Sequence, residues 1–245
     1  MINKLRKFLK RLLEEYLVGT IIQERSWSKR HLKRGNDWAN KQRSGEANEW
    51  VCSYWDSKNH SHRPLLVEKI SKFLPISSVL EIGCNCGPNL YLLSKKFTEA
   101  QIKGIDINPE AIKIGKELFA KEGIKNVDIF LGKADELKQF KDNSIDIVFT
   151  DAVLIYVGKD KIKKVIEEML RIAKKAIVLT EWHYEDKNKD PRGLGIYYSG
   201  RWIRNYVNLL KSFVPEKQIY LTKITNEIWP DSNWREFGHI IEVIK

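Results

Sequence analysis

The sequence predicts an α/β fold, a mostly parallel sheet that ends in an antiparallel hairpin. Three observations predict it. From residue 63 onward, short apolar runs alternate with stretches of helical periodicity, the pattern of βαβ units. A glycine-containing turn, Gly83 to Gly87, joins the first apolar run to the helix after it. The last two runs follow one another with no helix evident between them, so they pair antiparallel at one edge.

Taken in order, a helix is expected over 64–74, with Pro64 in its first turn, where a missing N–H costs nothing. Residues 78–82 read as a short buried strand, and a helix runs from near Pro88 through Phe97. The second strand is 102–107, and the second helix, 109–121, carries Ile112, Ile114, Leu118 and Phe119. Strands follow at 127–131 and 145–150. The helix at 161–173 places Ile162, Val165, Ile166, Met169 and Leu170 on one stripe. A fifth strand, 176–180, leads into the long loop 182–200. A helix comes next around 202–213, and strands at 219–224 and 239–244 complete a seven-stranded sheet.

Residues 1–62 read as a separate N-terminal part, with 63–245 as the main domain. Apolar residues at 2, 5, 8, 9, 12, 13, 16 and 17 describe one face of a basic amphipathic helix, suited to a membrane surface or to packing on protein. Residues 24–62 carry Trp27, Trp38, Trp50 and Trp55 in polar surroundings, a composition that fits a helical, tryptophan-rich cap. The net charge of +11 is concentrated here: residues 1–34 hold ten basic against three acidic side chains, a surplus of seven, which leaves four for the remainder. The charge therefore belongs to an arm and not to a nucleic-acid-binding face, and DNA is not expected as a partner. Three cysteines, Cys52, Cys84 and Cys86, are too few for a disulfide scaffold and fit a cytoplasmic protein. No apolar run is long enough to span a bilayer.

In an open α/β sheet, ligands bind at the carboxyl ends of the strands. The first strand ends in Glu81-Ile-Gly83-Cys84-Asn85-Cys86-Gly87. A dinucleotide fingerprint would need glycine where Asn85 and Pro88 stand, and no Gly-Lys-Ser/Thr follows for a P-loop. What remains is Glu81-x-Gly83-x-x-x-Gly87, with Asp106 closing the second strand and Asp135 following the third. A carboxylate at Asp106 can accept both hydroxyls of a ribose, and one at Asp135 the amino group of adenine.

This series resembles the class I S-adenosylmethionine-dependent methyltransferases, whose fold is Rossmann-like. The matching residues are 79–87, Gly104-Ile-Asp106, Gly132-Lys-Ala134-Asp135 and Ser144–Thr150. The resemblance implies S-adenosyl-L-methionine as cofactor and S-adenosyl-L-homocysteine as product. It further implies Gly83 and Gly87 along the methionine part, Asp106 at the ribose, Ala134 and Asp135 beside adenine, and Glu81, Cys84, Asn85, Ile107 and Thr150 as further residues of the cofactor site. Tyr54 and Arg63, in the segment before the first strand, are expected to reach the methionine end. Asn85 replaces the family's middle glycine.

Methyl transfer to a hydroxyl or amine benefits from a base. Asp151, Glu181 and His183 are the candidates, with Tyr156 beside them. His60 and His62 have no third ligand near them, so no metal is expected. Residues 148–155 and 174–181 are similar to methyltransferases of bacterial surface-sugar biosynthesis, nonulosonic acids included, which implies a hydroxylated or amino sugar, a glycan or other small molecule, as acceptor, free or lipid-linked. The loop 182–200 reads as a lid or substrate loop, with Tyr197, Tyr198 and Trp202 as ring-binding faces. An RNA methyltransferase is the alternative suggested by the charge and the tryptophans, and a scaffold with a vestigial pocket is another. The oligomeric state is not specified by the sequence.

Overall fold

The structure, a computed structural model, describes residues 23–28 and 49–245. The amphipathic helix expected at 1–17, and the membrane contact expected of it, lie outside the described residues.

Five apolar runs become parallel strands: β1 (Ser78–Ile82), β2 (Gln101–Asp106), β3 (Val127–Leu131), β4 (Ile145–Asp151) and β5 (Ala173–Trp182). They can be near-continuously apolar because both faces are covered, and every residue of the central β4 is buried. A two-stranded sheet, β6 (Ile196–Tyr198) with β7 (Arg201–Ile203), stands apart. The remaining strands, β8 (Ile219–Lys223) and β9 (Gly238–Ile244), complete a seven-stranded sheet in the order β3-β2-β1-β4-β5-β9-β8. β9 runs antiparallel to both of its neighbours and separates β8 from β5. The chain winds outward from β1 to β3, then returns to the other side of β1 at β4. That reversal opens a crevice above the carboxyl ends of β1 and β4.

The described helices are α1 (Gln23–Ser28), α2 (Glu49–Asp56), α3 (His62–Ser71), α4 (Pro88–Lys96), α5 (Pro109–Lys121), α6 (Ile162–Ile172), α7 (Tyr206–Leu210) and α8 (Ser232–Phe237). Strand side chains alternate between two cores. Val79, Ile102, Ile147 and Phe149 pack under α3, α4 and α5, against Leu66, Ile70, Leu90 and Phe119. Leu80, Ile82, Val148 and Ile177 face α6 and α7, meeting Val165, Ile166, Met169 and Leu209. Each such side chain taken out of water contributes roughly 1.5–3 kcal/mol.

Three departures from the sequence reading have local causes. Residues 182–200 are not an unstructured loop: β6 and β7 form a hairpin across Ser199 and Gly200, both with positive φ (48° and 82°), the backbone of a two-residue hairpin turn. The helix expected around 202–213 is consequently reduced to the five residues of α7, capped by Asn205, whose side chain accepts from Asn208 N. A short helix, α8, does lie between the last two strands, started by Asp231 accepting from Asn233 N at 2.9 Å and Trp234 N at 3.0 Å.

Candidate active site

A cavity of about 540 Å³ occupies the crevice. One half is built at the ends of β1, β2 and β3. Gly83 (φ +77°) turns the chain so tightly against Val153 that a Cβ there would fall 2.4 Å from a Val153 methyl carbon. Its amide and that of Cys84 both donate to Ile105 O, at 2.7 and 2.9 Å, tying the loop to β2. Asn85 adopts φ 51°, a left-handed conformation that asparagine tolerates. Its side-chain oxygen accepts from Cys86 N at 2.7 Å, and its own amide donates to Asp106 Oδ2 at 2.8 Å. Asp106 Oδ1 accepts from Asn108 N at 2.8 Å. Burial pushes the Asp106 carboxyl up, against the pull of these backbone donors.

Ile107, Ala134 and Asp135 continue this wall, and α1 covers it. Glu24 of α1 meets Lys161 at 2.5 Å and Lys133 at 3.0 Å, and Trp27 packs edge-on against Tyr156 with ring centroids 4.7 Å apart. Lys161 also approaches Asp135 at 3.5 Å. The two lysines are thus engaged by carboxylates, and the acids Asp106 and Asp135 face the cavity. That donor set suits a phosphate-free nucleoside carrying a positive charge, so the residues present fit S-adenosylmethionine.

The other half is assembled from side chains. Asp151, the last residue of β4, is buried, and its Oδ2 accepts from His62 Nε2 at 2.9 Å, Arg63 Nη1 at 3.0 Å and Asn89 Nδ2 at 3.0 Å. Burial alone would raise its pKa, but His62, Arg63 and Asn89 outweigh that and hold it well below the usual carboxylate range. Because Asp151 is ionised, His62 must present Nε2–H to it, leaving Nδ1 as an acceptor. Nδ1 of His62 lies 2.7 Å from Nδ1 of His60, which must then be the donor. The 3.4 Å approach of the His62 amide to the same nitrogen is longer and weaker. The chain of bonds therefore leaves Nε2 of His60 with a lone pair, on a side chain that lines the cavity. Burial, together with the neighbouring His62 and the Arg63 guanidinium, lowers the His60 pKa to about 4, so this imidazole is neutral. Trp229 stacks on the His62 ring at 4.0 Å, and Trp234 stacks on Trp229 at 3.8 Å. Trp182 and Tyr156 complete an aromatic wall.

The expected site residues divide accordingly. Tyr54, Arg63, Gly83, Asn85, Asp106, Ile107, Ala134, Asp135 and Asp151 line the cavity. Glu81, Cys84, Gly87 and Thr150 are not on its wall. Glu81 lies buried beneath it, accepting from Asn89 Nδ2 at 2.7 Å, and desolvation raises its pKa to about 8. Cys84 packs on Gly104, and Gly87 (φ +87°) caps α4 against the Phe119 ring. Thr150 Oγ1 donates to Glu181 at 2.8 Å.

Glu181 and His183, expected as bases, are also displaced from the cavity. Glu181 is fully buried and accepts from Thr150 Oγ1 and from the amides of Val153, Leu154 and Ile155, so it clamps the loop after β4. His183 Nδ1 accepts from Tyr206 N at 3.1 Å, and burial holds its pKa at about 3, which makes it a neutral joint between β5 and α7. Trp202 is buried outside the cavity and Tyr198 is exposed, so neither offers a ring to a ligand. Sequence reasoning did not bring His60, His62, Trp229 and Trp234 to the cavity wall, where the structure places them. The His-Ser-His spacing of 60–62 was visible, but Asp151, which gives it meaning, lies 89 residues beyond His62.

Comparison with known proteins finds similarity to methyltransferases. Residues 79–176 match the model of a methyltransferase domain. Over 97 residues the chain is 33% identical to ajmaline N-methyltransferase of Rauvolfia serpentina, covering 39% of this chain and 32% of that one. Over 100 residues it is 31% identical to the ribosomal RNA small subunit methyltransferase H of Coprothermobacter proteolyticus, covering 40% and 32%. The matched region thus spans about a third of the length of either relative. In fold the chain is similar to Haemonchus contortus phosphoethanolamine N-methyltransferase 1, solved with phosphoethanolamine and S-adenosylhomocysteine. The TM-score is 0.61 at 18% identity, over 92% of this chain and 49% of that one. Residues 79–176 thus resemble a methyltransferase domain, and the whole is an α/β, Rossmann-like fold with a mostly parallel seven-stranded sheet.

Proposed function

We propose that this chain transfers a methyl group from S-adenosylmethionine to a hydroxyl or amine of a small, sugar-type acceptor, with His60 as the base. The observation that carries the reading is the Asp151–His62–His60 chain, which ends in a neutral imidazole on the wall of the cavity that also holds Asp106 and Asp135. When bound, S-adenosylmethionine supplies an electrophilic methyl on a sulfonium. Asp106 would hold the ribose, Ala134 and Asp135 the adenine, and the Gly83–Asn85 loop the methionine end.

His60 Nε2 takes the proton released by the acceptor as its oxygen or nitrogen becomes bonded to carbon. His62 passes the positive charge of the imidazolium toward Asp151 without leaving its own hydrogen bonds, and Asp151 stays ionised. Trp229, Trp234 and Trp182 offer flat apolar faces suited to a sugar ring and exclude water from the reacting centre. The resemblance at 148–155 and 174–181 supports a surface-sugar acceptor. Pairing of Arg63, Lys133 and Lys161 with carboxylates in the cavity wall favours a small acceptor over an RNA backbone. In this reading residues 63–245, together with His60 and His62 just before them, carry the chemistry, and the basic residues of 1–34 locate the enzyme in the cytoplasm at an anionic surface.

Calorimetry with S-adenosylhomocysteine tests the cofactor half. Wild type is expected to bind, and Asp106→Ala to bind roughly 10²-fold more weakly, from the loss of charge-assisted hydrogen bonds. No binding by wild type, or equal binding by the variant, would overturn the proposal.

A further inference from the structure

Arg201 opens β7, immediately after the tight turn of the hairpin, and lines the acceptor half of the cavity. Its guanidinium carbon lies 5.2 Å from the centre of the Trp182 ring and 5.8 Å from that of Tyr156, so two aromatic faces hold it. Nε approaches Tyr156 Oη at 3.3 Å, and among the described residues the two terminal nitrogens make no hydrogen bond or ion pair. Every other lysine or arginine of this wall meets a carboxylate: Arg63 at Asp151, Lys133 at Glu24, Lys161 at Glu24 and Asp135. Neither acid of this side of the cavity, Asp151 or Asp231, is paired with Arg201. Asp151 Oδ2 accepts three bonds, and Asp231 Oδ1 caps α8. A partly buried guanidinium, steadied by rings and a fixed turn, with both terminal nitrogens open, is shaped to take a planar or tetrahedral oxyanion in two parallel bonds.

We infer that Arg201 forms an oxyanion subsite, so that the acceptor is an anionic small molecule bearing a carboxylate or a phosphate. This rests on the methyltransferase reading, because it treats the Arg201 side of the cavity as the acceptor half. The subsite would fix the acceptor by one end while its ring lies on the Trp229–Trp234 wall, leaving a hydroxyl or amine within reach of His60. Orientation of this kind is what an in-line methyl transfer demands of a protein.

Three sugars of one ring type provide the test: glucuronate, glucose 1-phosphate and glucose, titrated calorimetrically into the full chain saturated with S-adenosylhomocysteine. At least one acid is expected to bind 10-fold or more tightly than glucose, and the preferred acid identifies the oxyanion as carboxylate or phosphate. Arg201→Ala should reduce that acid to the level of glucose, and Arg201→Lys, which keeps the charge but loses the fork, should retain part of the preference. The thermal midpoint and the S-adenosylhomocysteine affinity of each variant report folding and the cofactor half separately. Equal binding of all three sugars by wild type, or a preference that survives in Arg201→Ala, would overturn the inference while leaving the methyltransferase reading standing. Failure of wild type to bind S-adenosylhomocysteine would overturn both.

Discussion

The two halves of the cavity are built by different means. At the ends of β1, β2 and β3 the backbone does the construction: amides of Gly83, Cys84 and Gly132 bond to strand carbonyls, and Asp106 is held by amides of Asn85 and Asn108. At the ends of β4 and β5 the parts are side chains brought from α3, α4, the hairpin and the segment before β9. A backbone-built wall depends on few side chains, each near a strand end. A side-chain wall depends on many, and on their charges being balanced in a buried place. Substitutions should therefore cost more stability in the second half than in the first.

The largest effect is expected at Asp151. Its removal leaves Arg63, whose side chain is only 3% exposed, with no ion-pair partner among the described residues. Breaking a buried pair from one side costs about 3–5 kcal/mol. Asp151→Asn should show this loss in urea unfolding, whereas Asp106→Asn, which retains a neutral acceptor for backbone amides, should lose about 1–2 kcal/mol. A smaller loss at Asp151 than at Asp106 would break the comparison.

Next in size is the catalytic effect at His60. His60→Gln should lower kcat roughly 10²-fold, the typical contribution of a general base, with S-adenosylhomocysteine affinity unchanged. Because burial, with His62 and the Arg63 guanidinium beside it, lowers the His60 pKa to about 4, the free base persists as pH falls. The sign follows: kcat should stay level from pH 8 to about pH 5 and fall only near pH 4, as the imidazole gains its proton. A profile that breaks near 6.5, the ordinary histidine value, would mean that His60 is solvated and not the base.

The same contrast explains what could be read from the chain. The parallel strands, α5 and the cofactor half were legible because each rests on local pattern: apolar runs, Pro109 beginning α5 after the Asn108 cap, and an acid at a strand end. Glu181 reads as a base in the sequence because it stands at a strand end like Asp106. Nothing in its neighbours shows that three amides of the loop after β4 would turn to it. The β6–β7 hairpin was missed because its strands have only three residues each, too few for alternation to show, although Ser199-Gly200 between them is a turn signal. The acceptor half was the least legible. His62 and Asp151, or Arg201 and Tyr156, are brought together by topology alone.

The smallest effect sharpens the comparison most, because it asks whether the cofactor half depends on side chains at all. Asn85 occupies the position where the family resemblance expects glycine, with φ 51° and its side-chain oxygen turned onto Cys86 N. If the loop matters only as backbone, Asn85→Gly removes one local hydrogen bond but adopts the same φ without strain, and the net change in stability should be under about 1 kcal/mol. Asn85→Ala loses the same bond and must also hold a left-handed backbone, which costs an alanine roughly 1–2 kcal/mol. Glycine should therefore be the milder substitution in thermal unfolding, and its S-adenosylhomocysteine affinity should stay within about twofold of wild type. An affinity loss for Asn85→Gly as large as that expected for Asp106→Ala would show that the Asn85 side chain itself grips the ligand. The cofactor half would then be a side-chain site as well, and the division between the two walls would not hold.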